Sequence, residues 1–244
     1  MDDALLDEYA AAAEDHWWFA ARRRILASVV APLLAGGPPR LMLDAGTGSG
    51  GMAPLLDRYG TLVGVDASRH LLGLARPRLP RLAAASLAGL PFRSEVFDAV
   101  FACDVIEHVA DERAALGELH RVVKPDGRLV LTVPAFQFLW GEHDEINHHY
   151  RRYSRAQLAR VLDATGWRVE RLSYFNTLLF LPIAGIRLAT GQRRRAEAPR
   201  SDLGWQVPQF VNTALETLFA SERHVMRYLD LPFGVSLLAV AVPR

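Results

Sequence analysis

Fourteen residues in the second half of the chain gather three of its eight histidines with three carboxylates and two arginines. From residue 140 they read Trp-Gly-Glu-His-Asp-Glu-Ile-Asn-His-His-Tyr-Arg-Arg-Tyr, ending at Tyr153. His143, His148 and His149 change charge near neutral pH, so any of them could take a proton from a hydroxyl or an amine. Arg151 or Arg152 could grip a carboxylate or a phosphate. The cluster could also ligate a metal, but its spacing matches no standard zinc signature, so no metal is expected. The plainer alternative is a loop tied down by ion pairs from Asp144 to Arg151 or Arg152. His108, further upstream, allows a structural role as readily as a catalytic one.

A second constellation lies earlier. Asp44-Ala45-Gly46-Thr47-Gly48-Ser49-Gly50-Gly51 follows an apolar run and opens a helical stretch. Glycines there let the backbone turn tightly and approach a ligand with no Cβ in the way. Alone, such a run could bind NAD, FAD or S-adenosylmethionine (SAM), or simply turn the chain. Asp44 suits a ligand carrying an ammonium group better than a pyrophosphate. Asp66 ends the next apolar run, where a carboxylate can accept hydrogen bonds from ribose hydroxyls. Its alternative role is a helix N-cap, which Ser68 could fill instead.

The elements that must position these groups alternate. Residues 4–35 read as helix, and Gly36-Gly37-Pro38-Pro39 breaks it. Buried strands are expected at 41–44, 62–66, 97–102 and 128–133, with helices near 51–58, 68–77, 111–123 and 155–165. That alternation predicts an α/β fold, a parallel sheet with helices on both faces. Ser154 reads as the N-cap of the last of these helices. Two more strands are expected at 168–174 and 235–242. Between them lies an insert with an apolar stretch at 174–188, the basic run Arg193-Arg194-Arg195 and an amphipathic helix near 208–229. The apolar stretch is shorter than the ~20 residues of a spanning helix and holds Asn176 and Pro182, so it reads as a lid, a surface touching lipid, or a satellite core.

The glycine loop resembles the nucleotide-binding motif of class I SAM-dependent methyltransferases. Leu90-Pro91-Phe92, Phe97-Asp98-Ala99-Val100, Asp104-Val105-Ile106-Glu107-His108-Val109 and Arg121-Val122-Val123-Lys124-Pro125-Asp126-Gly127-Arg128-Leu129 match further motifs of that superfamily in order and spacing, across 41–134. The segment Glu14–Arg23, with His16-Trp17-Trp18-Phe19, and the stretch 231–238 resemble a bacterial methyltransferase type 11-like subgroup. The resemblance implies a Rossmann-like seven-stranded sheet whose last strand is antiparallel, SAM as methyl donor and S-adenosylhomocysteine as product. It implies that Asp44, Gly46, Thr47, Gly48 and Gly50 face the methionine part of SAM and that Asp66 holds the ribose. Ala67, Ser86 and Leu87 would lie at the adenine; many members carry Asp at the Ser86 position. Cys103 and Asp104 would end the strand where substrate meets methyl group, with Cys103 as a small wall residue. Trp17 could cover the sulfonium by cation–π attraction and Arg22 could pair with the SAM carboxylate. His143, His148 and His108 are then the candidate bases. Asp104, His149, Arg151, Arg152 and Tyr153 are the candidate acceptor contacts.

Within one methyltransferase domain over 1–244, the expected parts are a helical cap (1–36), a SAM-binding core (41–174), an insert or lid (175–233) and a last strand (234–244). Twenty-eight basic residues against 27 acidic ones, net charge +1, argue against nucleic-acid binding. Cys103 is the single cysteine, which excludes an intramolecular disulfide and points to a reducing compartment. The acidic start lacks the apolar core of a signal peptide, so a cytoplasmic enzyme is expected, with peripheral membrane contact through 174–188 as an option. The acceptor is expected to be a small or lipid-like molecule methylated on O or N. The rival readings are a SAM-fold enzyme with another reaction and a non-catalytic SAM-binding module that docks to a partner or membrane.

Overall fold

The computed structural model describes residues 3–191 and 208–244; the Arg193–Arg195 run lies outside them. Among the described residues seven strands form one sheet: β1 (Arg40–Ala45), β2 (Gly60–Asp66), β3 (Leu82–Ala84), β4 (Phe97–Cys103), β5 (Val123–Pro134), β6 (Trp167–Phe175) and β7 (Ser236–Pro243). Their order is β3-β2-β1-β4-β5-β7-β6. The first five pair in parallel, while β7 inserts antiparallel between β5 and β6, with Val130 opposite Val240 and Leu172 opposite Ala239.

The strands read as continuous apolar runs because both faces of the sheet are covered. Side chains alternate between two cores. Leu43, Val100, Leu129, Leu131 and Ala239 face one of them. Met42, Ala99, Phe101, Val130, Leu238 and Val240 face the other. The first core is closed by α5 (Glu112–Val122), through Leu116 and Leu119, and by α7 (Arg155–Ala164), through Leu158 and Leu162. The second is closed by α2 (Trp17–Leu34), through Ile25, Leu26, Val29 and Val30, and by α9 (Gln209–Met226), through Phe219 and Met226.

The single helix expected over 4–35 is two. Helix α1 (Asp3–Asp15) ends at His16, whose extended backbone (φ −69°, ψ 131°) and Nδ1, accepting the Trp18 N–H, cap the start of α2. Trp17 N–H donates to Asn212 Oδ1 at 2.9 Å and Asn212 Nδ2 donates to the Asp15 carbonyl at 2.9 Å, so α9 clasps this break. Short α3 (Ala53–Leu56) and α4 (Arg69–Ala75) follow β1 and β2; Ser68 caps α4 by accepting the Leu71 N–H. Ser154 caps α7 in a reciprocal box with Gln157, as its position predicts.

After β5 the chain makes α6 (Glu142–Ile146), and after β6 it makes α8 (Phe180–Gly191). The Glu222 carboxylate on α9 accepts the backbone N–H groups of Asn176 (2.7 Å) and Leu178 (2.8 Å) and so fixes the turn between β6 and α8. Part of the apolar stretch at 174–188 is inside: Tyr174, Phe175, Leu179 and Ala184 are buried, while Leu178, Leu181, Ile186 and Leu188 are exposed. No described helix is long and apolar enough to cross a membrane.

Candidate active site

The strand order reverses between β1 and β4, and the loops leaving the carboxyl ends of β1, β2, β4, β5 and β6 meet above that switch point, the usual place for a ligand in an open α/β sheet. They line a cavity of about 1470 Å³ with α1, α2 and α8. Ligand pockets usually hold roughly 300–1,000 Å³, so there is room for two molecules side by side.

At one end lies the glycine loop. Gly46 has φ +77°, and a Cβ there would sit 2.3 Å from Val105 Cγ2, so only glycine lets the loop lie against the segment that leaves β4. Gly48, with φ +55°, has open space where its Cβ would be. Asp44 is buried and accepts the Thr47 hydroxyl at 2.7 Å; burial pushes its carboxyl up to about 6. Asp66 caps no helix. Its carboxylate accepts Gly48 N–H at 2.9 Å and Ser68 N–H at 2.8 Å, which ties the end of β2 to the loop. Ala67, Ser86 and Leu87 continue this wall. The Ser86 hydroxyl accepts the Ala88 N–H at 3.2 Å. A loop backbone free of Cβ atoms, a carboxylate at the end of β2 and an apolar ledge beside it fit a SAM molecule.

Trp17 lies edge-on to Phe219 at 6.1 Å, and Trp18 carries the Arg22 guanidinium at 5.1 Å; all three of Trp17, Trp18 and Arg22 line the cavity. Arg22 is nearly buried. Its Nη2 pairs with Asp104 at 2.8 Å and reaches Thr132 Oγ1 at 3.3 Å. The expected partnership with a ligand carboxylate is therefore largely taken up by Asp104, although Arg22 Nε has no hydrogen-bond partner. Asp104, which also lines the cavity, is in turn held by Arg22 and by the Thr132 hydroxyl at 3.1 Å, in a left-handed conformation (φ +54°). Cys103 is a wall residue whose thiol is pushed up to about 12 by burial.

At the other end lies the histidine-rich loop, built around Asp144. This fully buried carboxylate pairs with Arg152 Nε at 2.8 Å and His149 Nδ1 at 2.8 Å, accepts Gly141 N–H at 2.9 Å and lies 3.4 Å from Arg187 of α8. Burial works against its charge, but His149 and Arg152 hold it well below the usual carboxylate range. His108 Nδ1 bonds the Asn147 carbonyl at 2.8 Å; burial and the neighbouring His149 bring His108 down to about 4. His143 comes down to about 3, through burial and Arg187. His108, His143, His149 and Arg152 all line the cavity.

Three expected site residues are not brought there. His148 is exposed, in a left-handed turn (φ +53°), and is not among the cavity-lining residues. Arg151 donates to the carbonyls of Val109 (2.8 Å) and Ala110 (2.7 Å) and pairs with Glu112. Tyr153 belongs to the core and donates its hydroxyl to Glu112. Of the two ion pairs envisaged for Asp144, the one with Arg152 forms and the one with Arg151 does not.

Two cavity residues carry no role in the sequence reading. Glu107 is fully buried, and neither carboxyl oxygen has a hydrogen-bond partner; burial, with Asp104 nearby, raises it well above the usual range. Asn176 is also fully buried, with both side-chain amide atoms unpartnered. Glu107 stood inside a recognised motif and Asn176 at a strand end with φ +59°, but burial without a partner is a property of the folded chain alone.

Known proteins fit this geometry. A methyltransferase domain model matches residues 43–131. Over 136 residues the chain is 32% identical to a probable S-adenosylmethionine-dependent methyltransferase of Mycolicibacterium smegmatis, covering 54% of this chain and 53% of that protein. Over 209 residues it is 30% identical to an uncharacterized 37.1 kDa protein in transposon Tn4556 of Streptomyces fradiae, covering 81% of this chain and 59% of that protein. The chain thus spans somewhat over half the length of these relatives. A TehB-like SAM-dependent methyltransferase from Corynebacterium glutamicum shares the fold, with a TM-score of 0.57 at 19% identity over 100% of both chains.

Proposed function

Because the chain belongs to the class I SAM-dependent methyltransferases, we propose that it moves the methyl group of SAM to an oxygen or nitrogen of a small or lipid-like acceptor held in the same cavity. The observation that carries this reading is a continuous cavity that joins the glycine loop and Asp66 to the polar wall beyond β4. SAM supplies an electrophilic methyl carbon on a sulfonium leaving group when bound. The protein's own work is then alignment and exclusion of water. The backbone at Gly46, Thr47, Gly48 and Gly50 and the Asp66 carboxylate fix the donor, with Ala67, Ser86 and Leu87 along its base. Asp44 faces its ammonium group. Trp17, Arg22 and α8 roof the site, with the described residues 175–191 and 208–233 as lid.

The acceptor lies toward Glu107, His108, His149 and Asn176. Asn176 offers an unused donor and an unused acceptor for a polar group. With their depressed values, His108 and His143 stay neutral at pH 7 and are weak bases, so they position an acceptor rather than deprotonate it.

The test is calorimetric titration of the purified protein with SAM, S-adenosylhomocysteine and NAD, followed by an acceptor screen with methyl-labelled SAM. Asp66→Ala should weaken S-adenosylhomocysteine by about 10- to 150-fold, since hydrogen bonds to a charged group contribute roughly 1.5–3 kcal/mol. A folded, ligand-free protein that binds neither nucleoside would overturn the assignment.

A further inference from the structure

Glu107 poses a problem of charge. Its carboxyl is sealed from bulk water, yet no donor reaches it apart from its own amide. The nearby guanidinium groups are otherwise engaged, Arg22 Nη2 with Asp104 at 2.8 Å and Arg152 Nε with Asp144 at 2.8 Å. A buried carboxylate is ordinarily paired, protonated or bound to a metal.

Two imidazoles stand against it. The rings of His108 and His149 lie 4.5 Å apart at 83°, and one ligand atom from each of Glu107, His108 and His149 lies within 4.8 Å of the other two. Both rings are already anchored through Nδ1: His108 on the Asn147 carbonyl and His149 on Asp144, each at 2.8 Å. With those Nδ1 atoms as donors, each Nε2 keeps its lone pair. A carbonyl or carboxylate behind the ring is the usual second partner of a metal-bound histidine, setting tautomer and direction. Neighbouring arginines do not displace a cation here, because Arg22 is paired with Asp104 and Arg152 with Asp144.

We propose that Glu107, His108 and His149 bind one first-row divalent cation, zinc or manganese in class, with its remaining coordination positions open to the cavity. Two imidazoles and one carboxylate suit such a cation, and leaving positions open is the habit of catalytic rather than structural sites. Metal–nitrogen bonds of about 2.0–2.1 Å put ligand atoms roughly 3–4 Å apart, so side-chain rotation of about 1 Å closes the group. The cation reverses the expectation, drawn from local spacing, of a metal-free protein. The signal joins residues 107–108 to residue 149 and fits no short motif. Where the proposed methyl transfer holds, the open positions would take oxygens of the acceptor; cation binding itself does not depend on that reading.

The experiment is metal analysis by mass spectrometry on purified protein, then calorimetric titration of chelator-stripped protein with Zn²⁺, Mn²⁺ and Mg²⁺ separately. Stripped protein is also loaded with Co²⁺ and read by its visible spectrum. One equivalent of Zn²⁺ or Mn²⁺ per chain is expected, with affinity falling at least about 100-fold in Glu107→Gln and His149→Ala. His148→Asn should leave it unchanged, since that side chain is exposed, does not line the cavity and offers no atom to the group. Circular dichroism establishes that each variant is folded, and Co²⁺ ligand-field bands in the wild type but not in Glu107→Gln report ligation even if an affinity is too weak to fit. No stoichiometric cation in the folded wild type, or an unchanged affinity in folded Glu107→Gln, overturns the site. Titration with S-adenosylhomocysteine on the same samples separates this failure from a failure of the methyltransferase reading.

Discussion

Replacing Asp144 by Asn removes one negative charge and almost no volume from the most heavily bonded carboxylate of the cavity wall. The wild-type oxygens serve Arg152 Nε, His149 Nδ1 and Gly141 N–H, all within 2.9 Å, with Arg187 at 3.4 Å. Arg152 is only 4% exposed, so in the variant its charge stays buried with no counter-ion. Breaking a buried pair from one side costs about 3–5 kcal/mol. The asparagine oxygen still accepts one or two of the hydrogen bonds, which returns roughly 1 kcal/mol. The net expectation is a loss of about 2–4 kcal/mol, or about 5–15 °C in Tm for a chain this long. Urea denaturation at pH 7, with the m-value compared to wild type, measures it. The pH dependence follows from the depressed carboxyl: its contribution is complete above the unfolded value of about 3.9 and is lost as pH falls through the lower folded value. Wild type and variant should therefore converge only in strong acid. Adding Arg152→Met should recover part of the loss, because it removes the stranded charge. A loss under about 1 kcal/mol, or a double variant weaker than the sum of the two singles, would refute the charge argument.

Gly46→Ala should lower Tm and abolish S-adenosylhomocysteine binding together, since its Cβ would collide with Val105 at 2.3 Å in a left-handed conformation; a variant with wild-type affinity by calorimetry would contradict the described loop. Cys103 should resist iodoacetamide at pH 8, because a thiol near 12 is only about one part in ten thousand thiolate there, and should label once the protein is unfolded in urea. Intact-mass spectrometry follows both states, and native labelling at the rate of a free thiol would contradict the assignment of a buried wall residue.

The long core strands were legible because each is apolar on both faces over several residues, as in 41–44, 97–102 and 128–133. β3 was not, since Leu82–Ala84 is three residues long and becomes a strand only by pairing with Gly64–Asp66. The break at His16 escaped notice because no glycine or proline marks it; an imidazole acting as a cap does. Asp44, Gly46 and Asp66 could be read from a local motif, and the structure places them together. Asp144 was readable as an ion-pair partner, but the choice between Arg151 and Arg152 rests on which neighbour faces inward. The same one-residue difference separates exposed His148 from cavity-lining His149. Glu107 and Asn176 acquire meaning only when distant elements enclose them.

The clasp between Trp17 and Asn212 joins residues 195 apart in sequence. On a ribosome, which releases the chain from its amino end, the sheet through β5 can assemble with its glycine loop bare while the partner of that clasp is still unmade. The roof over the cavity is therefore a late event of biogenesis, and a nascent chain halted before residue 212 should exchange nucleoside freely where the released protein retains it.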